Sequence, residues 1–230
     1  MKTLSLLFII ILSSFTSLAQ VDCKPYVPTE KGTVWEITSY NQKGKMTGRT
    51  TYELLDKVES GNDVTFTVKN ITYDKKDKEI FENTFEAKCV DGKFQFDMTY
   101  RMDGNALQAY DDMDIEVDAT EFEIPDMDAS PGTQLADGSL VVNIGAGGGL
   151  GLKMTVLVTD RLVEAQENIT TPAGSFDCVV LTQNISTKML LNVKGSSKEW
   201  YSENVGMVRS ESYNKKGKMI GYSELTLLEE

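Results

Sequence analysis

Carboxylates at every second position are the first feature of this chain whose residue types and spacing could do chemistry. They are Asp112, Asp114, Glu116 and Asp118. Carboxylate oxygens are ligands that Ca²⁺ prefers, and Glu123 stands at the twelfth place of a calcium loop that would begin at Asp112. Such a loop needs glycine at its sixth place, where this chain has Val117. The four residues are therefore the candidates for a divalent-metal site, and a solvated strand face is the preferred interpretation.

Side chains for nucleophilic or acid–base catalysis are not grouped in this sequence. The chain has no histidine, which excludes Ser–His and Cys–His pairs and histidine-bound zinc or iron. It has no Cys-x-x-Cys pair and no Gly-x-Ser-x-Gly elbow. Paired carboxylates could hydrolyse a sugar, but no pair among the 35 acidic residues stands out by its spacing. We therefore predict no catalytic residues and a protein that is not an enzyme.

A glycine-rich stretch at residues 145–151 invites comparison with nucleotide-binding loops. It lacks the dinucleotide-binding spacing, and the residues after it, 152–158, have the pattern of a strand. A phosphate bound there would have no helix N-terminus to contact. We expect a hairpin tip or a bulged strand, with no cofactor and no cofactor-binding residues.

Alternation of apolar and polar residues is the dominant local pattern, and helical periodicity is scarce. Trp35 and Ile37 alternate with polar neighbours, and so do residues 64–69, 94–99 and 112–118. Turn residues recur about every ten positions, which is typical of all-β folds. The pattern predicts a single antiparallel β-barrel or a strongly curved barrel-like sheet of about 10–12 strands joined by hairpins.

One turn with its flanking strands occurs twice. Residues 39–48 read SYNQKGKMTG and residues 212–221 read SYNKKGKMIG, and a tryptophan precedes each copy. Asparagine can bond the backbone within such a turn, and glycine can close it with a positive φ. A third, weaker copy at residues 72–78 has Asp77 in place of the glycine. We expect the first and last hairpins to be neighbours that close the sheet.

The first residues have the order of an export signal. Lys2 supplies a positive charge, residues 4–12 form a short apolar run, and small residues precede Ala19. We therefore predict a signal peptide at residues 1–19, cleaved near Ala19, and a single β domain at residues 20–230. Cys23 lies four residues past that cut, so the protein is expected to be periplasmic or secreted and not a lipoprotein.

Three cysteines remain after export, namely Cys23, Cys89 and Cys178. An oxidising compartment favours one disulfide and one remaining thiol. The sequence leaves all three pairings open, and each cysteine could instead be a small buried apolar residue.

The net charge of -12 is unevenly distributed. Eleven acidic residues and no basic residue lie between Met102 and Leu152. An acidic surface repels phosphate backbones, so we expect no nucleic-acid partner and disfavour anionic membranes. No other apolar run reaches the length of a transmembrane segment.

Several segments resemble an exported protein family. They are residues 199–213 with the turn and Tyr222-Ser223-Glu224-Leu225 after it, Thr170 to Cys178, and Cys23 to Pro28 followed by Gly32 and Trp35-Glu36. These segments are similar to the TapB-like family, a domain of unknown function (3108) common in Bacteroidetes-type bacteria. The resemblance covers nearly all of the chain after the signal peptide. It implies a single antiparallel β domain in the periplasm or at the outer membrane, and it brings no catalytic residues.

Two hypotheses for function follow. In the first, the protein is an exported envelope binding module without catalytic activity that holds an apolar or lipid-like small ligand inside the barrel. In the second, it is a structural or interaction protein of the envelope, whose acidic surface at residues 111–128 attracts a cationic envelope protein or divalent cations. A roomy apolar interior would favour the first, and a filled core with an exposed acidic strand would favour the second.

Overall fold

The computed structural model describes residues 23–101, 115–145 and 151–229. The predicted signal peptide lies outside these ranges. The strands are β1 (Val34–Asn41), β2 (Met46–Ser60), β3 (Asp63–Asp74), β4 (Glu79–Val90), β5 (Lys93–Asp97), β6 (Ile115–Ala119), β7 (Glu121–Ile124), β8 (Gly138–Ile144), β9 (Leu152–Thr171), β10 (Gly174–Lys188), β11 (Asn192–Ser202), β12 (Gly206–Asn214) and β13 (Met219–Glu229). A short 3₁₀ helix, Met98–Arg101, follows β5, and no helix within these ranges is long and apolar enough to span a membrane.

The thirteen described strands form one antiparallel sheet in the order β6-β8-β9-β10-β11-β12-β13-β1-β2-β3-β4-β5-β7. The sheet is nearly closed into a barrel, which confirms the predicted fold class. The strand number exceeds the expected range of about 10–12 because the acidic stretch contributes two short strands instead of one.

Closure depends on those two short strands. Only Thr120 separates β6 from β7, yet the two strands lie at opposite edges of the sheet. The backbone N–H of Thr120 donates to the carbonyl of Ser139 on β8, and its carbonyl accepts from the N–H of Met98 at the end of β5. One continuous stretch of chain therefore bonds to both edges of the sheet.

The repeated hairpins are neighbours, as predicted, because β13 pairs with β1 and places Asn41 opposite Gly221. The expectation that they close the sheet is wrong, since this pair lies in the middle of the strand order and closure occurs at β6 and β7. Their turns share one geometry. The Oδ1 atom of Asn41 accepts from the N–H groups of Lys43 and Lys45, and that of Asn214 accepts from Lys216 and Lys218.

The third copy folds in the same way. Asp74 accepts from the N–H groups of Lys76 and Lys78. Asp77 takes the positive φ, 62°, that glycine takes in the other two copies. We call the end of the barrel that carries these three turns the repeat end.

The opposite end, which we call the disulfide end, is covered by the segment before β1. Cys23 is bonded to Cys89, with 5.9 Å between their Cα atoms, which settles the pairing that the sequence left open. Tyr26 and Val27 are buried under the sheet, and the Tyr26 hydroxyl donates to the carbonyl of Pro125. The core is therefore continuous from this plug into the barrel.

The connection from β7 to β8 is irregular and runs alongside β9. Gly132 and Leu135 donate backbone hydrogen bonds to the carbonyls of Val163 and Arg161. Met127, Ala129 and Leu135 pack against the core. The crossing segment thus covers part of the barrel at the disulfide end.

Candidate functional site

The acidic strand is exposed on both faces. Glu116 and Asp118 point to one side of β6, while Asp112 and Asp114 lie outside the described residues. No group of three or more acidic or cysteine side chains in the described ranges is placed to hold a metal ion. Ile115 and Val117 lie opposite Ile144 and Val142 on the inner side of the sheet, yet they are 36% and 40% exposed. The described part of the barrel wall is therefore incomplete beside β6.

The gap lies between β4 and β6. Strand β5 pairs with β4 only from Ala87 to Val90, and the described strands provide no pairing on that side for residues 79–84 of β4. β6 likewise pairs only with β8 in the described chain. Below the gap, β5 and β7 pair and close the wall. We call this gap the lateral groove.

The lateral groove has a volume of about 490 Å³ and contains both apolar and polar groups. Phe85 and Phe96 provide apolar surface, and Val117 lines the side formed by β6. The outer mouth carries the ion pair of Lys88 with Glu86, at 2.8 Å. A volume of this order is typical of small-ligand sites, and apolar surface with a few polar groups is their usual lining.

Two asparagines beside the groove have unsatisfied polar atoms. Asn70 on β3 lies directly opposite Asn83 on β4, on the inner side of the sheet. The Oδ1 of Asn70 and the Nδ2 of Asn83 are buried and have no hydrogen-bond partner among the residues that the structure describes. Leaving such an atom unsatisfied costs roughly 1–3 kcal/mol, so a bound molecule that reached both atoms would recover free energy. Asn83 lines the lateral groove, and Asn70 lies next to it on β3, behind the groove lining.

The deep interior, by contrast, is filled with side chains. Trp35 stacks on Tyr52 with 5.2 Å between ring centroids, and Phe94 contacts Phe96 edge-on. A small apolar cavity remains among Tyr26, Trp35 and neighbouring residues, with a volume of about 40 Å³. That volume would hold little more than a water molecule. An acyl chain therefore has no room in this cavity.

A buried polar chain crosses three strands on the inner side of the sheet. Arg161 Nε donates to Gln183, whose Nε2 donates to Ser197. The Ser197 hydroxyl donates to Glu199, and Tyr201 donates to the other oxygen of the same carboxylate. A positive and a negative side chain are thus linked through neutral groups inside the barrel.

Arg161 also connects distant parts of the fold. Its terminal nitrogens donate to the carbonyls of Glu123 at 2.6 Å and Ala136 at 2.7 Å, and its guanidinium lies 3.4 Å from the centroid of the Phe122 ring. The arginine therefore holds β7 and the crossing segment against β9. With Arg161 and Glu199 only 1% and 2% exposed, we assign this polar chain a structural role.

The remaining sequence candidates have separate locations. Most of the glycine-rich stretch lies outside the described residues, and Gly151 immediately precedes β9. Cys178 is a buried free thiol on β10, and its burial raises its pKa to about 12. Asn70 and Asn83 were missed, because a single asparagine in an alternating strand gives no signal until its cross-strand partner is known.

Comparisons with known proteins agree with this fold. One solved structure is that of a candidate lipoprotein from Parabacteroides distasonis ATCC 8503, with a TM-score of 0.80 and 23% identity, covering 90% of this chain and 100% of that one. Another, from Bacteroides fragilis NCTC 9343, is described as a candidate exported protein with a YmcC-like fold. Its TM-score is 0.78 and its identity 25%, with the same coverage of 90% and 100%.

No curated protein matches the chain. The family model of DUF3108-like proteins matches residues 30–225, which confirms the resemblance found in the C-terminal and Thr170–Cys178 segments. The chain therefore belongs to the DUF3108-like family.

Proposed function

We propose that this protein is an exported, non-catalytic binding module of the cell envelope that takes an amphipathic, lipid-like ligand at the lateral groove. One observation supports the proposal. The described wall is interrupted at one stretch, and apolar surface and two unsatisfied amide atoms occur together beside it. The acyl part of a ligand would lie against Phe85, Phe96 and Val117. Its polar part would bond Asn70 and Asn83.

We propose the lateral groove as the ligand site, and not the sealed barrel interior, for a steric reason. The cavity among the described core side chains near Trp35 has a volume of about 40 Å³, whereas the lateral groove has about 490 Å³, roughly ten times as much. A ligand at the groove enters through the wall and does not need the core to open.

Export without a lipid anchor at Cys23 is part of the proposal. Lipid attachment at a lipoprotein cysteine uses the thiol sulfur, and the sulfur of Cys23 is bonded to Cys89. The B. fragilis and P. distasonis proteins, described as a candidate exported protein and a candidate lipoprotein, support an envelope location. We propose that the chain is cleaved near Ala19 and released as a periplasmic or secreted protein.

The test is native mass spectrometry of the protein purified from the envelope of its own host. We expect a mass increment that disappears on organic extraction and is identified as lipid. Val117→Arg should abolish the increment by placing a charge in the groove. Ile220→Arg is the matched control, because Ile220 is also exposed, at 51%, but lies on β13, which β1, β2 and β3 separate from β4. A ligand-free mass for the unaltered protein, or equal retention of the ligand in both variants, would contradict the proposal.

An acidic interaction surface is the second candidate function. Glu116, Asp118 and Glu121 are exposed, and none forms an ion pair with a described residue, whereas Glu123 pairs with Lys93. Unneutralised carboxylates on an edge strand would attract a cationic envelope protein or divalent cations. Calcium titration calorimetry separates these two partners. Heat and a higher melting temperature at millimolar calcium would favour the metal, and their absence would leave only the protein partner.

A further inference from the structure

Lysines are concentrated at the repeat end of the barrel. Register places the turns there together: Asn41 lies opposite Gly221, Gly48 opposite Asp74, and Gly195 opposite Asn214. The lysines at this end are Lys43, Lys45, Lys75, Lys76, Lys78, Lys153, Lys188, Lys194, Lys215, Lys216 and Lys218, and all are exposed. The acidic residues among them are Asp74, Asp77, Glu79 and Asp160, and register also places Glu116 and Asp118 level with Lys153 and Lys188. The described part of this end is therefore strongly basic, although the chain as a whole is acidic.

These lysines are not used in ion pairs. None of the eleven side chains lies within 4.0 Å of a carboxylate in the described chain, whereas lysines elsewhere, such as Lys69 and Lys198, do form such pairs. At the disulfide end, the turns between strands contain no lysine at all: they are residues 61–62, 91–92, 172–173 and 203–205. The lysines near that end, Lys24, Lys31, Lys57 and Lys93, each pair with a carboxylate, so the unpaired lysines of the described chain are concentrated at the repeat end.

The same end carries the most exposed apolar side chains of the described protein. Leu190 and Leu191 form the tip of the β10–β11 hairpin and are 81% and 79% exposed, and Val193 beside them is 66% exposed. Ile220, on the neighbouring hairpin, is 51% exposed. Single exposed leucines are ordinary, but adjacent leucines at a hairpin tip flanked by Lys188 and Lys194 form an amphipathic projection.

A groove continues from this tip along the outside of the sheet. It has a volume of about 590 Å³ and lies between the start of β9 and the β10–β11 hairpin. Leu152, Leu157 and Met189 contribute apolar surface, and Lys153 and Lys188 contribute positive charge. Apolar surface next to ammonium groups complements a lipid whose headgroup carries a phosphate.

We infer that the repeat end docks on an anionic phospholipid surface, with Leu190 and Leu191 inserted among the headgroups and the lysines paired with phosphates. The net charge argued against such a surface, but net charge is a sum over the whole chain. A bilayer at the repeat end meets the local charge, which is basic because eleven lysines face six carboxylates there, and charges farther away than about 8 Å are largely screened by salt. The inference does not depend on a ligand in the lateral groove.

The experiment measures binding of the complete exported chain to vesicles by flotation. Vesicles of equal parts phosphatidylglycerol and phosphatidylcholine are compared with phosphatidylcholine alone. We expect binding to the anionic vesicles only, weakened by salt. In K188Q/K194Q the partition coefficient should fall about twenty-five-fold, because each lysine near an anionic surface contributes roughly fivefold. L190S/L191S should reduce binding to the level of neutral vesicles.

Matched controls lie at the disulfide end. Val58→Ser removes an exposed apolar side chain there, and K31Q/K57Q removes two lysines, so both variants should bind like the unaltered protein. A tryptophan at the tip, Leu191→Trp, should shift its emission to the blue on anionic vesicles, while Trp35 and Trp200 are buried and give a constant background. Equal binding to both vesicle types, no loss in L190S/L191S, or binding to heparin without binding to vesicles would each overturn the inference.

Discussion

Thr120 and Ser139 are joined by three hydrogen bonds across the seam of the barrel. The N–H of Thr120 donates to the Ser139 carbonyl at 2.9 Å, the Ser139 N–H donates to the Thr120 hydroxyl at 2.8 Å, and that hydroxyl also lies 3.3 Å from the Ser139 carbonyl. On its other side, Thr120 accepts from Met98. A single residue therefore connects the first and last strands of the sheet order, and the lateral groove begins where this connection ends.

Replacing Thr120 should test that closure. In Thr120→Pro the N–H donor is lost, and we expect the free energy of unfolding to fall by about 2 kcal/mol in chemical denaturation. Thr120→Ser keeps both the N–H and a hydroxyl and should differ little from the unaltered protein. If the proline variant were as stable as the serine variant, the seam bonds would contribute nothing to closure.

The Cys23–Cys89 disulfide should be a major stabilising element, because it closes a loop with a sequence separation of 66. We expect Cys23→Ser to lower the free energy of unfolding by about 4 kcal/mol. Reductant should reproduce the loss in the unaltered protein and in Cys178→Ala, but have no further effect on Cys23→Ser. A reductant-insensitive transition in the unaltered protein would contradict the pairing.

Cys178 should make the protein sensitive to alkali. Burial, with a smaller contribution from the Asp177 and Glu167 carboxylates, raises its pKa from an ordinary value of 9.0 to about 12. Above pH 9.0 the unfolded chain loses this proton while the folded protein keeps it, so stability falls as pH rises toward 12. We expect Cys178→Ala to flatten this part of the pH profile. Parallel slopes for the two proteins would show that the thiol is not responsible.

Asp74 should make the third turn sensitive to acid. Hydrogen bonds from the backbone N–H groups of Lys78 and then Lys76 hold the pKa of Asp74 below its usual 3.8. The stabilisation is present above pH 3.8 and is lost as pH falls through the lowered folded-state value. Asp74→Asn should keep the turn geometry of Asn41 and Asn214 and remove this dependence. The check is thermal melting across acidic pH, and an unchanged profile would contradict it.

Much of the fold could be predicted from sequence because its signals are local. Trp35 and Ile37 alternate with polar residues as a half-buried strand requires, and Asn41 and Gly44 form the turn that their chemistry favours. The seam could not be predicted, since Thr120 is an ordinary strand residue until both sheet edges are known. The same holds for Asn70 and Asn83, whose role depends on cross-strand register.

The lysine-rich turns were visible in the sequence, but their grouping was not. Whether two turns share an end of a barrel depends on the number of strands between them and on which strands pair. The β1–β13 pairing brings the turn after Asn41 next to the turn after Asn214. The net charge of the whole chain is negative, so it does not reveal the lysines that this pairing brings together at the repeat end.

The contact between β1 and β13 also determines when folding can finish. Thr38 and Thr226 share a hydrogen bond across a sequence separation of 188, and this pairing is one of the longest-range contacts in the sheet. Contacts between such distant segments slow folding, because a large loop must close before they form. Until residues 219–229 arrive, β1 presents an unpaired edge that another chain could join. If the chain crosses a membrane unfolded, β1 stays without this partner until the last strand has emerged. Rapid pairing of β13 with β1 would then reduce the risk of aggregation.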